Sequence, residues 1–112
     1  MSDCIFCKIA THEIPTEALW EDDDVIAFRD LQPKYPVHLL VISKAHIPSA
    51  AALEEAHDTV IGKVFRVGAE LAKQQGLGEK GFRLLTNSGP DSGQEVHHLH
   101  VHVLGGERLH PL

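Results

Sequence analysis

The stretch EVHHLHVHVLGG, residues 95–106, alternates His98, His100 and His102 with Leu99, Val101 and Val103. Strand side chains alternate between faces, and i, i+2 neighbours stand about 6.5–7 Å apart. A strand over 98–104 therefore places three imidazoles on one face. Three strong apolar residues take the other, which belongs to the core. Thr, Lys or Glu would serve a solvated face equally well, so three titratable rings in register point to chemistry. His97 falls on the side opposite the triad.

Two chemistries compete for these rings. Imidazoles spaced i, i+2 on a strand can converge on a catalytic Zn²⁺. Alternatively, one histidine is a nucleophile at phosphorus, and its neighbours orient it or move protons; neutral imidazole is nucleophilic and titrates near working pH. The preceding segment bears on the choice. Ser88–Gly93 reads SGPDSG, a loop whose backbone N–H groups can form an anion cradle, and Asn87 and Gln94 add neutral donors. No Lys or Arg lies between Arg83 and Arg108. Such a site suits a single phosphate of low charge better than a polyphosphate.

The whole chain has 112 residues, which sets one domain over 1–112 as the expectation. Ten basic and sixteen acidic side chains give a net charge of −6. That argues against a nucleic-acid polymer, whose binding depends on many Lys and Arg, but not against a mononucleotide. No apolar run approaches the ~20 residues of a membrane span, and the start, MSDCIFCKIA, has no secretion-signal pattern. A cytoplasmic location is the default expectation. There Cys4 and Cys7, a C-x-x-C pair, read as a metal half-site or a redox pair rather than a structural bridge.

Val60, Ile61, Val64, Val67, Gly68, Leu71 and Ala72 recur at helical spacing and predict a helix from about Asp58 to Gln75, with Asp58 as N-cap and Gly76 just past its end. Phe65 widens the apolar arc to roughly 160°, which suits either a helix deep in its own core or one that covers a sheet and also meets a second subunit. A short helix is expected near Cys4–Ala10, with Asp3 as cap. Strands are expected at 18–20, 25–29, 38–43, 82–87 and 98–104, bounded by the solvated acidic turn 21–24, the Pro33–Pro36 segment and the 88–93 loop. Strands, one long helix, then strands favour an α+β domain with an antiparallel five-stranded sheet.

Gly93–Gly106 resembles the His-φ-His-φ-His-φ-φ signature of the histidine triad (HIT) family, and within it the Hint branch of nucleoside phosphoramidases. CIFCKI (4–9), the stretch from Ile14 to Ile47, and RLLTNSGPDSGQEV (83–96) match as well. The resemblance implies a homodimer that binds a purine mononucleotide. His100 would be a nucleophile attacking the α-phosphorus of a nucleoside 5′-phosphoramidate or aminoacyl adenylate. His102 would contact the phosphate and help proton transfer, and His38 would support the nucleophile from a neighbouring strand. Asp30 would accept hydrogen bonds from the ribose hydroxyls. Phe6, Ile9, Ile14, Phe28 and Leu31 would wall the base; Asn87, Gly93 and Gln94 would contact phosphate. Glu95 stands where animal members carry serine. A carboxylate beside a phosphate is repulsive, which leaves Glu95 turned away or facing the leaving amine.

The same resemblance gives Cys4, Cys7, His46 and His98 as ligands of a structural zinc, with no cofactor for catalysis. His98 is then a metal ligand, not a third member of the catalytic set. His110 lies in a tail that can close over an active site. The alternatives carried forward are a dinucleoside polyphosphate hydrolase of the same family, a zinc-dependent hydrolase, and a zinc-stabilised nucleotide-binding interaction protein.

Overall fold

The structure is a computed structural model that describes residues 3–112. Five antiparallel strands form one sheet in the order β1-β2-β3-β5-β4. They are β1 (Trp20–Glu21), β2 (Val25–Arg29), β3 (Val37–Ser43), β4 (Arg83–Leu85) and β5 (His100–Gly105). The expected α+β class with five strands is what the chain adopts. Helix α2 (Asp58–Gln74) covers one face, and the six-residue α1 (Ile5–Ala10) covers part of the other.

Both faces are therefore buried, and the strands read as apolar runs. Val25, Ala27, Leu39, Val41, Val101 and Val103 pack with Val64, Val67 and Leu71 of α2. Their alternates Ile26, Phe28, Leu40 and Ile42 pack with Phe6, Ile9 and Ala10 of α1. A six-residue helix is far below the ~12–15 residues that persist alone, so α1 exists through what it docks on.

Strand β5 starts at His100, two residues later than its alternation predicts. The register pairs Ile42 with His100, and β3 ends at Ser43, whose hydroxyl turns to donate to the Ala45 carbonyl. Residue 98 has no strand opposite it. Leu99 donates its N–H instead to the Ile47 carbonyl at 2.7 Å. The flanking strands shorten similarly, 82–87 to 83–85, while the first shifts to 20–21.

The caps also differ. The Cys4 thiol, not Asp3, caps α1 and accepts the Cys7 N–H at 3.3 Å. Asp58 is the first residue of α2 rather than its cap, and the turn before it is closed by the Glu54 N–H donating to His57 Nδ1. Gly76 does end α2, at φ +84°. Leu77 then donates back to Ala72, and Gly76 to Lys73, a Schellman closure that buries Leu77. The two glycines after the triad follow from this. A Cβ on Gly105 would lie 2.6 Å from Leu77 Cδ1, and Gly106 turns the chain at φ +95° against Pro36.

The acidic turn is a hairpin turn as expected, but it is not merely solvated. Asp22 accepts from the backbone N–H groups of Asp24 and Val25 and from Trp20 Nε1. Lys63 reaches it from α2 at 3.0 Å. Burial alone would push this carboxyl upward; those donors together hold it well below the usual carboxylate range.

Candidate active site and metal cluster

The register builds the site row by row on the α1 face of the sheet. Phe28, Leu40, His102 and Leu85 lie side by side across β2, β3, β5 and β4. One row away, His100 follows Ile42; in the other direction, His38 pairs with Leu104. The Asp30 N–H, just beyond β2, donates to the His38 carbonyl. These rows floor an open cleft of about 840 Å³, within the range of small-ligand sites.

Phe6, Ile9, Phe28, Asp30, Leu31, His38, Asn87, Gly93, Gln94, Glu95, His100 and His102 all line it. Ile14 does not. It packs half-buried against the α1-side core. His110 of the tail lines the cleft too, as do Lys34, Tyr35 and Glu107, for which the alternation pattern carries no signal. Gln94 spends its side-chain amide on the loop itself: Oε1 accepts the Gly89 N–H, and Nε2 donates to the Pro48 and Val96 carbonyls. Its place at the cleft is that of a brace.

The hydrogen bonds fix the ring tautomers. His100 lies only 2.6 Å through Nδ1 from the His98 carbonyl, which can only accept. Nδ1 therefore carries a proton, and in the neutral ring the lone pair is on Nε2. His38 Nδ1 accepts the Lys34 N–H at 3.0 Å, so the His38 proton is on Nε2. That N–H points to His102 Nδ1 at 2.9 Å, with Asp30 Oδ2 at 3.3 Å. His102, an acceptor at Nδ1, then carries its own proton on Nε2. Burial lowers the pKa of His38, opposed by the Asp30 charge and helped by Lys34. His102 is pushed down to about 4, chiefly by burial and then by His100 and His38. The result places an Nδ1–H His100 beside a neutral His102 in one cleft, while the 88–93 loop, expected as an anion cradle, spends the N–H groups of Gly89, Ser92 and Gly93 on its own acceptors.

The three histidines of the stretch do not converge on one point. His98 is fully buried at the N-terminal end of α1. Its Nδ1 is 3.2 Å from Cys4 Sγ, 3.5 Å from Cys7 Sγ and 3.2 Å from His46 Nδ1, and Cys7 Sγ is 3.2 Å from that same His46 nitrogen. A tetrahedral Zn²⁺ with Zn–S of about 2.3 Å and Zn–N of about 2.05 Å needs S···N near ~3.5 Å and N···N near ~3.3 Å. The four residues fit that ion in donor type and spacing. The Nε2–H of His98 donates to the Ser43 carbonyl at 2.6 Å, which leaves Nδ1 as the ligand atom, as second-shell bonds to metal-binding histidines do.

Residues 11–109 match the HIT domain family. The chain is 41% identical over 110 residues to the purine nucleoside phosphoramidase of Escherichia coli (strain K12), covering 98% of this chain and 92% of that one. It is 43% identical over 109 residues to a 14 kDa zinc-binding protein of Brassica juncea, covering 96% of each. A HIT family hydrolase from Clostridium thermocellum superposes with a TM-score of 0.95 at 39% identity, over 100% of this chain and 97% of that chain. The chain belongs to the histidine triad family.

Proposed function

We propose that the chain hydrolyses the P–N bond of purine nucleoside 5′-phosphoramidates, or the P–O bond that joins the aminoacyl carboxylate to phosphorus in aminoacyl adenylates, through a nucleotidyl-histidine intermediate. The observation that carries this reading is the bond from His100 Nδ1–H to the His98 carbonyl, because it leaves Nε2 as a lone pair. That nitrogen attacks the α-phosphorus, and the P–N bond breaks. His102 Nε2–H donates a hydrogen bond to the departing amine, which takes its proton from solvent, with His38 Nε2–H holding His102 from behind. Water then adds to phosphorus and releases one proton to solvent, the N–P bond breaks, and AMP or GMP leaves with His100 restored. Splitting one displacement in two is the gain of a covalent route.

Phe6, Ile9 and Phe28 offer the purine an apolar wall. Leu31, 94% exposed, offers only a lip. Asp30 Oδ2 faces the cleft beside His38 and suits a ribose hydroxyl, while Oδ1 accepts the Gln32 N–H. Asn87 and Gly93 border the phosphate position. Cys4, Cys7, His46 and His98 would hold a structural zinc, which supplies cross-linking of α1 to the sheet and no step of the reaction. A homodimer formed through the partly buried Ile61 and Phe65 side of α2 belongs to the same proposal.

Turnover of adenosine 5′-phosphoramidate tests the reading. Wild type should release AMP, His100→Ala should lose at least ~10³-fold in kcat, and acid quenching of wild type should trap a nucleotidyl adduct. Retained activity in His100→Ala would overturn the assignment.

A further inference from the structure

His98 belongs to two arrangements at once. Its ring lies in the cluster with Cys4, Cys7 and His46, while its main-chain carbonyl takes the Nδ1–H of His100 at 2.6 Å. The ring is buried and is pinned from its far side by the Ser43 carbonyl. A shift of the ring therefore carries the peptide that orients His100.

Phe6 makes a second link. It lies between the two cysteines on α1, and its ring stands edge-on to His98 at 5.8 Å and to His100 at 5.1 Å. It also lines the cleft. Since α1 is too short to persist alone, the same docking event sets the cluster, the apolar wall and the aromatic contact on His100.

We infer that the metal cluster and the nucleotide cleft are energetically coupled through His98 and Phe6, which act as positioning residues for His100. Metal in the cluster and a purine mononucleotide in the cleft each tighten the binding of the other. The inference rests on the nucleotide reading above. Both ligands require α1 docked, Phe6 against the two rings, and the His98 carbonyl facing His100. Whichever binds first removes the ordering cost the second would otherwise meet, and linkage makes the effect reciprocal.

The test is equilibrium competition for zinc between the zinc-loaded protein and a chromogenic chelator, with and without saturating AMP. AMP affinity is measured by calorimetry on zinc-loaded and zinc-stripped protein. Zinc should be held about 5-fold more tightly in AMP, and AMP by the same factor in zinc. Phe6→Leu keeps every metal ligand but removes part of the purine wall, so AMP should bind it more weakly with and without zinc; the factor by which each ligand tightens the other should fall below the wild-type value, the His98 link remaining. Equal zinc affinity with and without AMP, in protein that binds both, overturns the inference, as does an AMP affinity unchanged by stripping the zinc. Full coupling in Phe6→Leu would remove Phe6 from the link. Zinc uptake with no AMP heat would instead overturn the nucleotide reading itself, and the inference with it. The competition arm needs neither a variant nor stripped protein to stay folded.

Discussion

Across one intervening residue, His100 Nδ1 and the main-chain oxygen of His98 lie 2.6 Å apart. That intervening residue, Leu99, is 1% exposed, and its N–H is held by the Ile47 carbonyl at 2.7 Å. The reactive ring is thus aimed by a peptide locked from the side. Leu99→Ala should cost roughly 2–5 kcal/mol of stability and lower kcat more than it raises KM. Chemical denaturation and steady-state kinetics check both; an unchanged kcat would mean the peptide is not what aims the ring.

His38 contributes through His102. Its anchor is the Lys34 N–H on one nitrogen, and its donor is the other. His38→Phe keeps the ring volume and removes both bonds. We expect kcat to fall ~10²-fold, in the range for a disturbed hydrogen-bond donor, with KM changed less than threefold. A rise in KM alone would instead assign His38 to substrate binding.

His102 should titrate near 4, against about 6.5 in an unfolded chain. The folded state then holds this ring neutral while the unfolded state gains a proton. Stability on its account is complete above the unfolded value and is lost as pH falls from about 6.5 toward 4. Ring-nitrogen NMR reads the midpoint directly; titration at 6 or above would contradict the neutral relay.

Gly105→Ala should destabilise by about 1–3 kcal/mol, because the added methyl meets Leu77 Cδ1 at 2.6 Å. The double change with Leu77→Ala should cost less than the sum of the two single changes, since shortening Leu77 removes the clash. Thermal melts of the four proteins measure the coupling; simple additivity would place the strain elsewhere.

Chelator should lower the melting temperature of wild type, since a structural metal contributes folding free energy. Cys4→Ser should melt lower from the start and respond little to chelator. An identical wild-type melt with and without chelator would leave the cluster without a metal role.

Where the sequence was legible, periodicity carried it. The α2 pattern and the alternation of β5 each translate a repeat into a buried face, and the β2 run translates into a strand buried on both faces. The misread ends have specific causes. His98 and Leu99 continue the alternation, yet the chain opposite them has already turned at Ser43, so no ladder forms. A cysteine thiol capping α1 looks, in sequence, like a metal ligand and nothing more. Ile14 is apolar and near the right helix, but it packs half-buried against the α1-side core and does not line the cleft. Gln94 sits in the signature as a ready donor, and only its three hydrogen bonds show that it braces the loop. The split of the histidines into a cluster and a relay depends on which ring nitrogen faces which partner, and no repeat encodes that.

β5 is hydrogen-bonded on both edges, to β3 along its length and to β4 from His102 to Leu104. Its amides should be among the last in the molecule to exchange with solvent, because opening them requires parting the sheet. The α1 amides, on a six-residue helix at the cleft edge, should exchange far sooner. The histidines of the relay thus ride on a strand paired on both edges, and the apolar wall on a six-residue helix. Purine analogues of differing size should be tolerated at the wall more readily than any displacement of phosphorus at the floor.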